Sequence, residues 1–272
     1  MMRPPSLTAG YGAAAPRRES FARRLMRFVR RLCLLVLGAG LIAAGFFGAR
    51  AIHQFVTGSG YFKIREIRID GASEALEREA RAWLSGPLAR ANQNLCLVRD
   101  KALAAGLRTL ARVKAARVRK LFPQTLVIEL QERQPIAVAN LGQPYLIDAE
   151  GAIIAEADPA ALQRLALPIV TGIRGEQHHP GQRLRQARLA DILAAIVHVR
   201  DHEPLLQKKI VEWNLNGREE ITAILATRTE VRFGDQAPLE LLGKLACVLP
   251  VKKELERATY IDLRMERQIV YK

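Results

Sequence analysis

The chain has 272 residues, a net charge of +15 and apolar residues at 49% of positions, too hydrophobic for a disordered polyelectrolyte and long enough for more than one packed core. Three cysteines exclude the disulfide framework of a small secreted domain. Cys33 lies in an apolar run, and Cys96 and Cys247 read as small buried side chains.

The first 31 residues carry eight arginines against Glu19, a net of +7. Pro4, Pro5, Gly10, Gly12 and Pro16 break any periodicity before Phe21, so residues 1–20 are expected to be disordered. From Phe21 to Arg31 the apolar residues Phe21, Leu25, Phe28 and Val29 fall near one face between arginines. This predicts a basic amphipathic lead-in lying on an anionic leaflet. Leu32 to Ala49 is then 18 residues without a charge, about 27 Å of helix at roughly 1.5 Å per residue. With Ala51 and Ile52 it reaches the length of a membrane span over 32–52. A cleaved signal peptide would have a shorter tail and a clean cleavage site. An uncleaved anchor fits better, and the arginine-rich flank puts the N-terminus in the cytoplasm and everything after the span outside it. Gly40, Ala44 and Gly48 recur every fourth residue, the small-residue spacing that lets two membrane helices approach.

The remaining chain keeps +8 of the total charge, which suits anionic headgroups, acidic wall polymers or acidic proteins as neighbours. Nucleic acid, the usual partner of so basic a chain, is not met outside the cytoplasm. The stretch FKIREIRIDG (62–71) alternates as a half-buried strand, with Ile67 and Ile69 on one face and Glu66 and Arg68 on the other, and is ended by Asp70-Gly71. A helix capped by Ser73 runs to Ser85-Gly86-Pro87, and a second covers Leu97 to Leu110, with Leu103, Leu107 and Leu110 on its buried face. Val113–Leu121 and Thr125–Glu132 form a hairpin around Phe122-Pro123-Gln124. Arg117 and Arg119 point outward, opposite Glu129 and Glu132, as a contact surface or, more simply, as cross-strand charge pairs. The order is β-α-α-β-β over residues 62–132.

Pro135 opens a different region, 133–272. Short strands are predicted at Tyr145–Ile147, Ile153-Ile154, Ile169-Val170, Ile210–Leu215, Ile221–Leu225, Glu230–Phe233, Ala258–Leu263 and Gln268–Tyr271. Helices are predicted at Leu184–Arg200 and Pro238–Leu249. The fold class is therefore α+β: one membrane helix, a small two-layer module, and a mostly antiparallel sheet domain with packed helices.

Four motifs in order give the sequence a family resemblance. They are the aromatic-Pro turn Phe122-Pro123, the boundary Glu132-Arg133-Gln134-Pro135-Ile136-Ala137, the turn Ile147-Asp148-Ala149-Glu150-Gly151, and the strand Ile261-Asp262-Leu263-Arg264. Together with the stretch FKIREIRIDG (62–71) and one anchor, this resembles the FtsQ/DivIB family of bacterial cell-division proteins. The resemblance implies a POTRA module followed by a β domain in a non-catalytic scaffold of the divisome. Its ectodomain would face the periplasm or exterior at the division septum. The scaffold would bind FtsB-like and FtsL-like membrane proteins and so regulate septal peptidoglycan synthesis. It implies β-augmentation at the last strand, with Met265, Arg267, Gln268, Ile269, Val270 and Tyr271 contacting the partner; Met265, Arg267, Ile269 and Tyr271 supply selectivity. Two departures bear on this: Met265-Glu266-Arg267 replaces the usual glycine turn, and the chain stops at Lys272, which limits the footprint. Without a partner, Arg267 and Lys272 would read as charges that protect an edge.

No catalytic or cofactor constellation is legible. His198 and His202 have helical spacing, but Val199 replaces the glutamate of H-E-x-x-H, so no metal is expected; His178 and His179 read as surface loop. Ser59, Ser73 and Ser85 follow the span without a nucleophile elbow. An anchored wall hydrolase would need paired carboxylates in a cleft. A POTRA component of polypeptide export or envelope assembly, the main alternative, would need repeated modules or a barrel.

Overall fold

A computed structural model describes residues 21–58, 60–175, 178–265 and 268–272; the reading of residues 1–20 lies outside them. Two units are distinct, 1–60 and 61–272. The first is a single helix, α1 (Phe21–Gly58), of 38 residues. Its segment Leu25–Gly58 is the one helix among the described residues long and apolar enough to cross a membrane. The basic lead-in is not a separate element. It is the first turns of the same helix, because nothing between Phe21 and Leu37 breaks the backbone: there is no glycine or proline, and Arg, Leu and Met are good helix formers. Gly40, Ala44 and Gly48 are exposed, and nothing lies within 4 Å of a side chain built on either glycine.

In the second unit, β1 (Glu66–Asp70) alternates as expected, with Ile67 and Ile69 half-buried. Gly71 ends it with φ of +80°; a Cβ there would meet the Leu130 carbonyl oxygen at 2.2 Å, so the turn requires glycine. α2 (Glu74–Arg90) starts at Ser73, whose hydroxyl accepts from the Leu76 N–H, and has Glu74 and Glu77 in the first turn. Leu76, Ala80, Leu84 and Leu88 form its buried stripe, each leucine worth roughly 2 kcal/mol over an exposed one. The helix does not stop at Pro87. It runs a turn further, because burial of Leu88 outweighs the one backbone bond that proline removes.

α3 (Asp100–Leu107) is shorter at both ends than predicted. Leu97 is in an exposed turn, and Leu110 packs from beyond the helix end. β2 (Val113–Leu121) and β3 (Thr125–Glu132) match the predicted hairpin residue for residue. The sheet order is β1-β3-β2, with β1 and β3 parallel. Glu129 pairs with Arg117 and Arg119, whereas Glu132 turns to Arg112 at 3.2 Å and to Ser73.

The rest of the chain forms a nine-stranded sheet, β12-β11-β10-β9-β8-β7-β4-β5-β6. Its strands are β4 (Ala137–Asn140), β5 (Pro144–Ile147), β6 (Ile153–Glu156), β7 (Ile169–Thr171), β8 (Ile210–Leu215), β9 (Ile221–Leu225), β10 (Glu230–Gly234), β11 (Tyr260–Asp262) and β12 (Val270–Tyr271). Short helices α4 (Pro159–Leu165) and α6 (Pro204–Gln207) were not predicted. α5 (Leu189–His202) bridges the parallel neighbours β7 and β8, and α7 (Pro238–Val248) bridges the parallel pair β10 and β11. Parallel strands need such crossovers, and both helices pack on one sheet face, touching each other. Between them and the sheet lies the core, where Trp213 stacks on Phe233 at 5.6 Å. The opposite sheet face is polar towards β10, with a chain of hydrogen bonds from Asn214 to Thr171 to Glu212.

The cysteines correct the sequence reading. Cys247 is exposed on α7 and Cys96 is half-buried: the buried positions of α7 are Leu241, Leu242 and Leu245, and Cys247 falls between them and Leu249 on the outer side.

Candidate partner-binding edge

A sheet edge presents unpaired backbone donors and acceptors, so each exposed edge is a docking site unless something occupies it. The two sheets have four edges, and three are guarded. At β1, the Arg81 guanidinium donates to the Ile67 carbonyl at 3.2 Å. At β2, the Arg108 guanidinium donates to the Ala116 carbonyl at 3.0 Å. At β6, the chain around 181–183 runs alongside: Gly181 N–H donates to Ile153, and Ile153 N–H to Gln182, both at 2.8 Å. β12 is the fourth edge, and no strand lies beyond it among the described residues.

The local sequence explains how so short a strand is held. β11 supplies Ile261 to the core and is paired on both sides: Val231 opposes Ile261 in β10, and Tyr271 opposes it in β12. Asp262, almost buried, opposes Val270. Its carboxylate accepts the Arg264 backbone N–H at 3.0 Å and is gripped by the Arg264 guanidinium, with the shortest contact at 2.6 Å. The guanidinium hydrogen bonds hold the Asp262 carboxyl below the usual carboxylate range. Gly234 leaves room for this arginine; a Cβ there would meet its Cδ at 2.6 Å. Arg232, paired with Glu230 at 3.1 Å, stands over the Tyr260 ring at 4.6 Å.

The depressed pKa has a sign. The ionised Asp262 is stabilised in the folded state, so its contribution is present above the unfolded carboxylate value, about pH 4, and is lost as pH falls through the lower folded value. Asp262→Asn is expected to flatten the loss of stability on acidification below about pH 4. Urea unfolding at a series of pH values measures this, and an unchanged acid slope would remove the pair from the account.

Of the residues predicted to contact a partner, Met265, Gln268, Val270 and Tyr271 are exposed, with Met265 at 58%, Val270 at 43% and Tyr271 at 42%. Ile269 instead packs against the core of the sheet domain and anchors the strand. Arg267 lies outside the described residues. Lys252 reaches over the Tyr271 ring at 5.9 Å, and Val251 beside it is 80% exposed. These two extend the apolar and basic surface around β12, and only their charge and hydrophobicity, not their position in the sequence, hinted at it.

The other sequence candidates fall elsewhere. His198 and His202 stack at 4.7 Å on α5, and no group of three metal-ligating side chains surrounds them among the described residues. His178 and His179 belong to the loop between β7 and α5.

Two family models match the chain: residues 62–133 fit the POTRA domain of FtsQ type, and residues 136–264 fit the C-terminal part of the cell division protein FtsQ/DivIB. Among curated relatives, the cell division protein FtsQ of Anaeromyxobacter sp. is 30% identical over 244 residues, covering 89% of this chain and 81% of the relative. The same protein of Geotalea daltonii is 24% identical, covering 90% and 88%. That of Caulobacter vibrioides is 33% identical over 60% of this chain and 57% of the relative. With a membrane-length helix, a POTRA-type module and a sheet domain in that order, the chain belongs to the FtsQ/DivIB family of bacterial cell-division proteins.

Proposed function

We propose that this protein is a non-catalytic scaffold of the divisome, in which the ectodomain recruits FtsB-like and FtsL-like membrane proteins by β-augmentation at β12. The membrane helix of residues 32–52 holds the POTRA domain (62–132) and the β domain (133–272) outside the cytoplasm, because the arginine-rich flank stays inside. One observation carries the reading: three sheet edges have a backbone group met by a guanidinium or a strand-like loop, and among the described residues none meets the outer edge of β12. Its exposed Val270 and Tyr271, with Met265, offer apolar contacts beside a backbone that supplies the hydrogen bonds. Arg267 is included as a contact on its place in the sequence alone, next to Gln268. In the bilayer, the face formed by Gly40, Ala44 and Gly48 packs against a second membrane helix.

A fluorescent fusion is expected to concentrate at the division site, and depletion to give filaments with segregated nucleoids and no septa. Uniform envelope labelling with normal division would overturn the scaffold role.

A further inference from the structure

A second candidate surface lies on the POTRA module, between α2 and α3. There a cleft of about 570 Å³ opens beside the turn that joins the two helices. Its floor is Leu88, Val98 and Leu103, all buried, and its walls are Trp83 and Leu97, the latter 42% exposed. The indole packs against α3: a Cβ on Gly106 would meet the Trp83 ring at 2.2 Å, so the glycine leaves the room the ring needs. A rigid aromatic wall over an apolar floor loses little entropy on binding.

The rim is charged in one sense. Arg90 and Arg99 line the cleft, and no carboxylate does. Elsewhere on this module arginines meet acids: Arg68 with Glu66, Arg81 with Glu77, Arg112 with Glu132, and Arg117 and Arg119 with Glu129. Arg90 and Arg99 have no such bond to a described side chain. Arg90 suits the C-terminal end of the α2 dipole, but Arg99 precedes α3, where a cation is unfavourable and an N-capping side chain is preferred. The local structure therefore supplies no reason for Arg99, and the cleft does.

We propose that this cleft docks an acidic peptide segment with one large apolar side chain, contributed by a second protein. The apolar anchor sits against Trp83 and Leu97, and carboxylates on either side of it meet Arg90 and Arg99. This cleft lies between the helices of the POTRA module and shares no residue with β12, so the two sites bind independently.

The test uses the full chain in nonionic detergent at low salt. The probe is the dye-labelled hexapeptide Glu-Asp-Leu-Phe-Glu-Asp, compared with a Lys-Lys-Leu-Phe-Lys-Lys control, and binding is read by anisotropy. The acidic peptide is expected to bind and the basic one to bind at least about tenfold more weakly. The double substitution Arg90→Glu, Arg99→Glu is expected to cost about tenfold, the size of two exposed charge pairs, as is Leu97→Glu. If charge reversal disturbs folding, Arg90→Gln with Arg99→Gln should still cost about threefold. Deletion of residues 268–272 should leave peptide binding unchanged. Equal binding of both peptides, or full binding to the arginine and Leu97 variants, would overturn the proposal. So would displacement of the peptide by an equal concentration of a soluble peptidoglycan fragment, which would assign the cleft to wall polymer.

Discussion

Removal of residues 268–272 is expected to abolish co-purification of the FtsB-like partner from detergent-solubilised membranes, with the folded core intact. The expectation follows from what β12 does and does not support. Val270 and Tyr271 pair with β11, Lys272 bonds to Tyr260 and Thr259 beside them, and Val270, Tyr271 and Lys272 are exposed, so their loss removes little buried area; Ile269 packs on the core. The stability cost should be about 1 kcal/mol, the scale of one partly buried side chain. The binding cost is far larger, because the deletion removes the backbone onto which a partner strand would add and exposes β11 in its place. Tyr271→Lys separates the two contributions. The backbone ladder survives, so binding should weaken by about 2 kcal/mol, the scale of an aromatic anchor at an interface, without disappearing. Undiminished partner recovery from the truncated chain would place the interface elsewhere. A matched pair of controls sharpens the test: Arg81→Ala and Arg108→Ala unblock the edges of the POTRA sheet and should leave recovery of this partner unchanged.

How far the sequence carried this picture depends on burial geometry. β2, β3, β8 and β9 begin and end where predicted because each buries one face, so hydrophobicity alternates along it. β4 buries Ala137, Val138 and Ala139 in succession. A strand covered on both faces has no alternation to read, and β4 went unpredicted, as did the parallel pairing around β7. The predicted helix from Leu184 starts instead at Leu189. Arg188 adopts a left-handed conformation just before it, and its guanidinium donates to the carbonyls of Asp235 and Gln236, just before α7; that contact is between residues distant in sequence and leaves no local signal. The candidate site divides the same way. The terminal strand and its exposed residues were legible from composition and motif. That the other edges are met by Arg81, Arg108 and the chain near Gly181 was not, because each contact comes from another element 8 or more residues away and leaves no periodic signal.

Two family motifs meet at the boundary between the POTRA module and the β domain. Arg133 follows β3 and Asp148 follows β5, 15 residues apart, yet their side chains form an ion pair with Asp148 at 4% exposure. The other carboxylate oxygen accepts the N–H groups of Glu150 and Ala152, each at 2.9 Å, and so shapes the turn that Gly151 completes with φ of +76°. Arg133 also faces Glu150 at 3.6 Å, and Glu150 faces Lys114 of β2 at 3.2 Å. The boundary motif and the turn motif are thus two halves of one charge cluster joining the POTRA module to the β domain. Arg133→Ala leaves a buried carboxylate with its two backbone donors and no counter-charge. Breaking a buried pair from one side costs about 3 to 5 kcal/mol, and the surviving backbone bonds put this case near the lower end. Lys114→Ala removes an exposed pair and should cost under about 1 kcal/mol. The double substitution Arg133→Ala, Asp148→Asn should recover part of the loss, since the asparagine oxygen can still accept the two turn N–H groups without leaving a buried charge. Urea unfolding of the intact chain, followed by a probe in residues 61–272, distinguishes these outcomes. If Arg133→Ala costs no more than Lys114→Ala, the cluster is a solvated surface contact and does not join the two modules.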